Sequence, residues 1–104
     1  MTDRLVARIK DALRVVIDPE LGHNIVELGF IYDISVVDGA ARITMTTTTP
    51  GCPAAYFLKE GAANSVARVP GVGSVEVVMT FDPPWTPTRI DPSARAALGF
   101  AAVN

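Results

Sequence analysis

The sequence is short of the residues that usually announce chemistry: it holds one cysteine, one histidine and one tryptophan among 104 residues. A lone cysteine excludes an internal disulfide, and a domain with this aliphatic content needs no such staple. A structural zinc site of four Cys or His ligands is excluded by the same count, because the chain owns two such residues in total. Basic runs are missing too. Nine Lys and Arg stand against eleven Asp and Glu, a net charge of -2, with no row of cations to neutralise phosphates, so nucleic acid is not an expected partner. No stretch approaches the uninterrupted apolar length of a membrane span, and the first ten residues are broken by charges throughout. A cytoplasmic protein in a reducing compartment, with no membrane partner, is the expectation.

What is present argues for folding. Hydrophobic residues make up 49% and charged residues 19%, far from the signature of disorder. The length suits one core, so residues 1–104 are expected to form a single domain. Leu5, Ile9, Leu13 and Val16 recur at near-helical spacing between charged residues, which predicts an amphipathic helix over about Asp3 to Val16, stopped by Pro19. From Asp18 to Gly29, "DPELGHNIVELG" shows no period and reads as a loop with one helical turn around Ile25 to Leu28. Alternation over Phe30 to Val37 and again over Arg42 to Thr46, with Asp38-Gly39 between, predicts a tight hairpin whose second strand runs on into the threonines. Pro53 opens a second helix with Ala55, Leu58, Ala62 and Val66 on one face, and Val75, Val77, Met79 and Phe81 mark a third strand. Asp91 then caps, and Pro92 opens, a short helix that Gly99 stops. The order helix-strand-strand-helix-strand predicts an α+β fold, a two-layer sandwich of a small three-stranded mixed sheet with two long helices on one face, plus the short C-terminal helix. A crossover returning beside the second hairpin strand makes that pair parallel.

The stretch "TTTTPGCPA" sets Cys52 directly before the helix that Pro53 opens. Unsatisfied N–H groups and the helix dipole there favour a thiolate, the reactive and metal-binding form, over a neutral thiol. The plain alternative is a small buried hydrophobe at a strand-to-helix corner. Asp18 and Glu20 flank Pro19 and read either as a solvated turn capped by Asp18 or, with the loop folded over Cys52, as oxygen ligands or proton acceptors. Thr44, Thr46 and Thr48 share one strand face, and Thr47 and Thr49 share the other with Ile43 and Met45; they satisfy strand propensity or line a polar pocket. His23 is the one conventional base for a thiol enzyme, and a satisfied or exposed histidine is its default reading. Trp85 among three prolines reads as a packing lid or as an aromatic offered to a partner.

Taken together, "DPELGHNIVELGFIYDISV", "ITMTTTTPGCPAAYFL", "VPGVGSVEVVMTFDPPWTPTRI" and "SARAALGF" resemble the PaaD- and SufT-like metal-sulfur cluster assembly family over nearly the whole chain. The resemblance implies a role in maturing iron-sulfur proteins through contacts with client metalloenzymes and cluster assembly proteins, without catalysis. It also implies matching site positions at Asp18, Glu20, Thr48, Thr49, Cys52 and Pro53, with Cys52 as the thiolate that touches iron, sulfur or a client. Longer PaaD-type members carry a cysteine-rich tail that this chain, ending "GFAAVN", lacks, so a second metal site is not expected. A cluster is held by about four thiolates or equivalents, so one cysteine predicts a transient cluster shared within a homodimer or with a partner protein. The alternatives are an adaptor in which Cys52 is structural and, less favoured, a Cys52-His23 thiol enzyme.

Overall fold

The computed structural model describes residues 2–48, 51 and 53–98, so the expectations placed on Thr49, Cys52 and Gly99 lie outside the described residues. Helix α1 (Thr2–Leu13) turns Ile9 and Leu13 fully into the core. It ends three residues before the apolar period does. Arg14, Val15 and Val16 donate their N–H groups to the carbonyls three residues back, at 3.1 to 3.4 Å, and this tightened turn keeps Val16 buried while swinging Val15 into solvent.

Strand β1 (Ile17–Asp18) then pairs antiparallel with β2 (His23–Asn24), Asp18 opposite His23. The segment expected to be a loop is thus a miniature hairpin, too short for a period of two to register in the sequence. The Asp18 carbonyl accepts the N–H of Gly22 at 2.7 Å, and Gly22 takes the left-handed conformation that closes so tight a reversal (φ +66°). The expected turn follows it. Asn24 accepts the Glu27 N–H on Oδ1 at 2.9 Å and the Leu28 N–H on its carbonyl at 3.1 Å, and Ile25 and Leu28 drop into the core.

Strands β3 (Ile31–Val37) and β4 (Ala40–Met45) form the expected hairpin, with positive φ at both Asp38 (50°) and Gly39 (80°). Their register slips between Ile31 and Asp33, which leaves Tyr32 as the extra residue of a bulge. Helix α2 (Ala54–Ala67) carries the chain across to β5 (Ser74–Met79), which lies parallel to β4 with Ile43 opposite Val77. The sheet order is β3-β4-β5. Helix α1 packs on β3, α2 on β5, and the two helices on each other, so Ala41, Ile43 and Met45 are sealed between the layers. This is the two-layer α+β sandwich with a mixed three-stranded sheet that the element order implies. A 3-10 turn (Pro87–Arg89) leads to helix α3 (Pro92–Leu98), whose start is capped as expected: Asp91 Oδ1 accepts the Ser93 N–H at 3.0 Å. Among the described residues no helix is long and apolar enough to cross a membrane.

The threonine run departs from its expected geometry. Strand β4 ends at Met45, and the next N–H, from Thr46, donates to the Phe30 carbonyl at 2.8 Å. Thr46 and Thr47 are then both buried, which an alternating strand would forbid, so the chain bends out of the sheet before the Pro-Gly step.

Candidate functional site

Four of the six expected site residues, Asp18, Glu20, Thr48 and Pro53, are described, and they come from three separate stretches of chain. Asp18 is 1% exposed, and its Oδ1 accepts the Glu20 N–H at 2.7 Å across Pro19. The cap expected of Asp18 is present and fixes where Glu20 leaves the backbone, but the turn is not solvated at Asp18 as expected, because pairing with the second short strand draws that carboxylate into the core. Thr48 Oγ1 donates to Glu20 Oε1 at 3.3 Å, bridging 28 residues of sequence. The Asp-Pro-Glu turn is therefore tied to the segment that leads from β4 into α2. At the far end of that segment Pro53 is helical (φ -58°, ψ -29°), with no side-chain cap and no acidic residue in the first turn of α2.

The described core is apolar except for Asp18, Thr46 and Thr47. All three sit in the two stretches that Glu20 and Thr48 join. Polar groups are expensive to bury without partners, and every described one has a partner, Thr46 Oγ1 donating to the Thr47 carbonyl at 3.3 Å among them. A buried carboxylate and two buried hydroxyls on one side of an otherwise aliphatic core mark where polarity is concentrated.

His23 stands opposite Asp18 in the small hairpin, and its Nε2 lies 2.7 Å from Glu27 Oε1. Arg14 Nη1 donates to the other Glu27 oxygen at 3.3 Å. Hydrogen bonding from His23, then from the Asn24 side of the turn, holds the Glu27 carboxyl below its ordinary value. The imidazole is thus satisfied by a carboxylate, its default reading. Glu27 and Asn24 escaped the sequence reading, although Glu27 follows His23 by four residues, the spacing at which side chains meet across one turn. Among the described residues no group of three or more His, Cys, Asp or Glu side chains is arranged to hold a metal ion.

Trp85 backs the same loop. Its indole N–H donates to the Leu28 carbonyl at 2.7 Å and its ring meets Phe30 edge-on, centroids 5.4 Å apart. The packing reading of Trp85 holds, and the proline-rich segment clamps the turn that carries His23 and Glu27.

The mixed three-stranded sheet backed by two helices, with its buried polar residues beside an acidic turn, defines the class as a small two-layer α+β domain. Residues 6–77 match the model of the family described as iron-sulfur cluster assembly protein, and the chain belongs to that family. It is 41% identical over 101 residues to an Fe-S protein maturation auxiliary factor of Bacillus subtilis (strain 168), covering 96% of this chain and 99% of that one. It is 38% identical over 88 residues to the Fe-S protein maturation auxiliary factor SufT of Staphylococcus aureus (strain USA300), covering 84% of this chain and 100% of the relative. The crystal structure of a DUF59 domain from Bacillus anthracis superposes with a TM-score of 0.90 at 37% identity over 94% of both chains.

Proposed function

We propose that this protein is a maturation factor for iron-sulfur proteins, holding or handing on an iron-sulfur unit through the thiolate of Cys52 rather than catalysing a reaction. The observation that carries the proposal is the Thr48–Glu20 hydrogen bond, which ties the acidic turn to the segment containing Cys52. The uncapped start of α2 favours a sulfur anion in the neighbouring position. Asp18 orients the turn, Glu20 offers a carboxylate oxygen, Thr48 and Thr49 offer hydroxyls, and Pro53 fixes the helix start. Iron-sulfur units are cargo here. With one cysteine per chain, other ligands come from a second copy, a client or an assembly protein, and a reducing cytoplasm keeps the thiol available.

Anaerobic reconstitution with iron and sulfide tests this. The wild type is expected to develop thiolate-to-iron charge-transfer absorbance, Cys52→Ser to develop none, and Glu20→Gln to bind more weakly without unfolding. Equal absorbance in Cys52→Ser overturns the reading.

A second reading has its own support: Val15, Tyr56 and Phe57 are 60 to 71% exposed. These large apolar side chains suit an adaptor that docks a client, with Cys52 structural. Under that reading Cys52→Ser matures a client normally and only surface changes fail.

A further inference from the structure

Three of the five exposed large apolar residues among those described, Val15, Ile17 and Phe57, are grouped on one surface. Val15 and Ile17, thrown outward by the tight exit from α1, line a groove of about 370 Å³ together with Phe57 and Gly61 of α2, and Arg68 closes its far end. A Cβ added at Gly61 would press on Val16 at 3.2 Å, so α2 lies close against the turn that follows α1 at this point of the groove. Beyond Arg68 the surface continues past Ser65 and Val69 to Arg8. Arg8 and Arg68 make no ion pair among the described residues, while Asp11, the acidic group on this surface, is held by Arg14 at 3.6 Å. A chain of net charge -2 thus presents, beside an apolar trough, two guanidinium groups with no ion-pair partner among the described residues.

Resting on the maturation reading, we infer that this groove docks a client segment with large apolar side chains at one end and carboxylates at the other. Phe57 and Arg68 are eleven residues apart along α2, about 16 Å at the helical rise, which about five extended residues span. The apolar end receives the client's hydrophobic anchors and the arginines receive its carboxylates. A second copy of this chain fits worse. A two-fold axis along the groove sets arginines against arginines, and one across it sets each arginine end against the other's apolar end. The one carboxylate either arrangement brings from this surface is Asp11, which already faces Arg14.

The probe is a fluorescein-labelled peptide with Leu-Phe at one end, a four-residue Gly-Ser spacer and two glutamates at the other, read by anisotropy at low salt. The wild type is expected to bind it, Arg68→Glu to bind at least about tenfold more weakly, and Phe57→Ser likewise. Salt should weaken binding as it screens the exposed charges. Replacing the peptide's glutamates with lysines should restore binding to Arg68→Glu, a rescue that a misfolded variant cannot show. No binding by the wild type, or equal binding of the lysine and glutamate peptides, overturns the inference. So does a wild-type dimer that Phe57→Ser converts to monomer in sedimentation. Arg68→Glu should keep the Cys52-dependent absorbance; loss of that absorbance in the wild type sinks the maturation reading and leaves the groove to be judged by anisotropy.

Discussion

At the scale of single residues, Gly29 shows how tightly the site is backed. It sits at φ +78°, and a Cβ added there would overlap the backbone carbonyl of Arg89, which cannot retreat without moving the proline-rich clamp. Gly29→Ala therefore combines left-handed strain with a backbone clash and should cost roughly 2 to 4 kcal/mol. A melting temperature lower by about 10 °C or more is expected for a domain of this size, and an unchanged melt would show that the clamp yields. Trp85→Phe keeps the ring but loses the donor to the Leu28 carbonyl. It should cost about 1 to 3 kcal/mol in the same assay, because that carbonyl loses a partner at a half-buried position. Cys52 differs in kind, since its replacement by serine should leave the melt nearly unchanged while removing the charge-transfer band. A large loss of stability in Cys52→Ser would favour the structural role.

At the scale of elements, the turn built from His23, Asn24 and Glu27 carries a pH dependence. Glu27 titrates below its ordinary value of 4.5 in the folded chain, held there first by the His23 hydrogen bond and then by Asn24. A depressed folded-state carboxyl contributes stability that is fully present above the unfolded value and is lost as pH falls through the folded one. Asp91, lowered by its hydrogen bonds to Ser93, behaves alike, so the contribution of Glu27 is read as a difference. Denaturant unfolding of wild type and Glu27→Gln should diverge most at neutral pH and converge as pH drops below about 4.5; curves that stay parallel would deny Glu27 the role. None of this turn's side-chain bonding was legible in the sequence. Helix α1, the Asp38-Gly39 hairpin, α2 and the parallel β5 were legible because each carries a period or a turn signal several residues long. The β1–β2 hairpin has two residues per strand, and the bend at Thr46 follows a strand-favouring run. Hydrogen bonds without a sequence period decide the backbone in both places: the local ones of Asp18 with Glu20 and Gly22, and the distant one of Thr46 with Phe30. The acidic turn and the threonines were legible as candidates, but the Thr48–Glu20 bond that brings them together crosses 28 residues, a separation at which periodicity is silent.

At the scale of the whole molecule, the limiting quantity is sulfur. One cysteine per chain meets a demand of about four ligands per cluster, and no three His, Cys, Asp or Glu side chains among the described residues are grouped to hold a metal. The apolar end of the groove, at Ile17 and Phe57, adjoins the acidic turn and the first turn of α2, whereas its arginines lie farther along α1 and beyond the end of α2. With the cluster held at Cys52 and the client along the groove, as proposed, changes at the arginine end should separate docking from cluster loading. Apo protein is expected to sediment as a monomer; protein reconstituted without small thiols should carry one cluster per two chains and sediment as a dimer. Because two chains must meet to close one shell, loading at low protein concentration should rise with the square of that concentration. Arg68→Glu should leave this assembly intact, since Arg68 follows the last turn of α2, at the opposite end of the helix from Pro53. Cys52→Ser should abolish it. A cluster held one per chain on a monomer would need its remaining ligands from the oxygen and nitrogen side chains of the same chain, since that chain has a single thiol, and would overturn the shared shell.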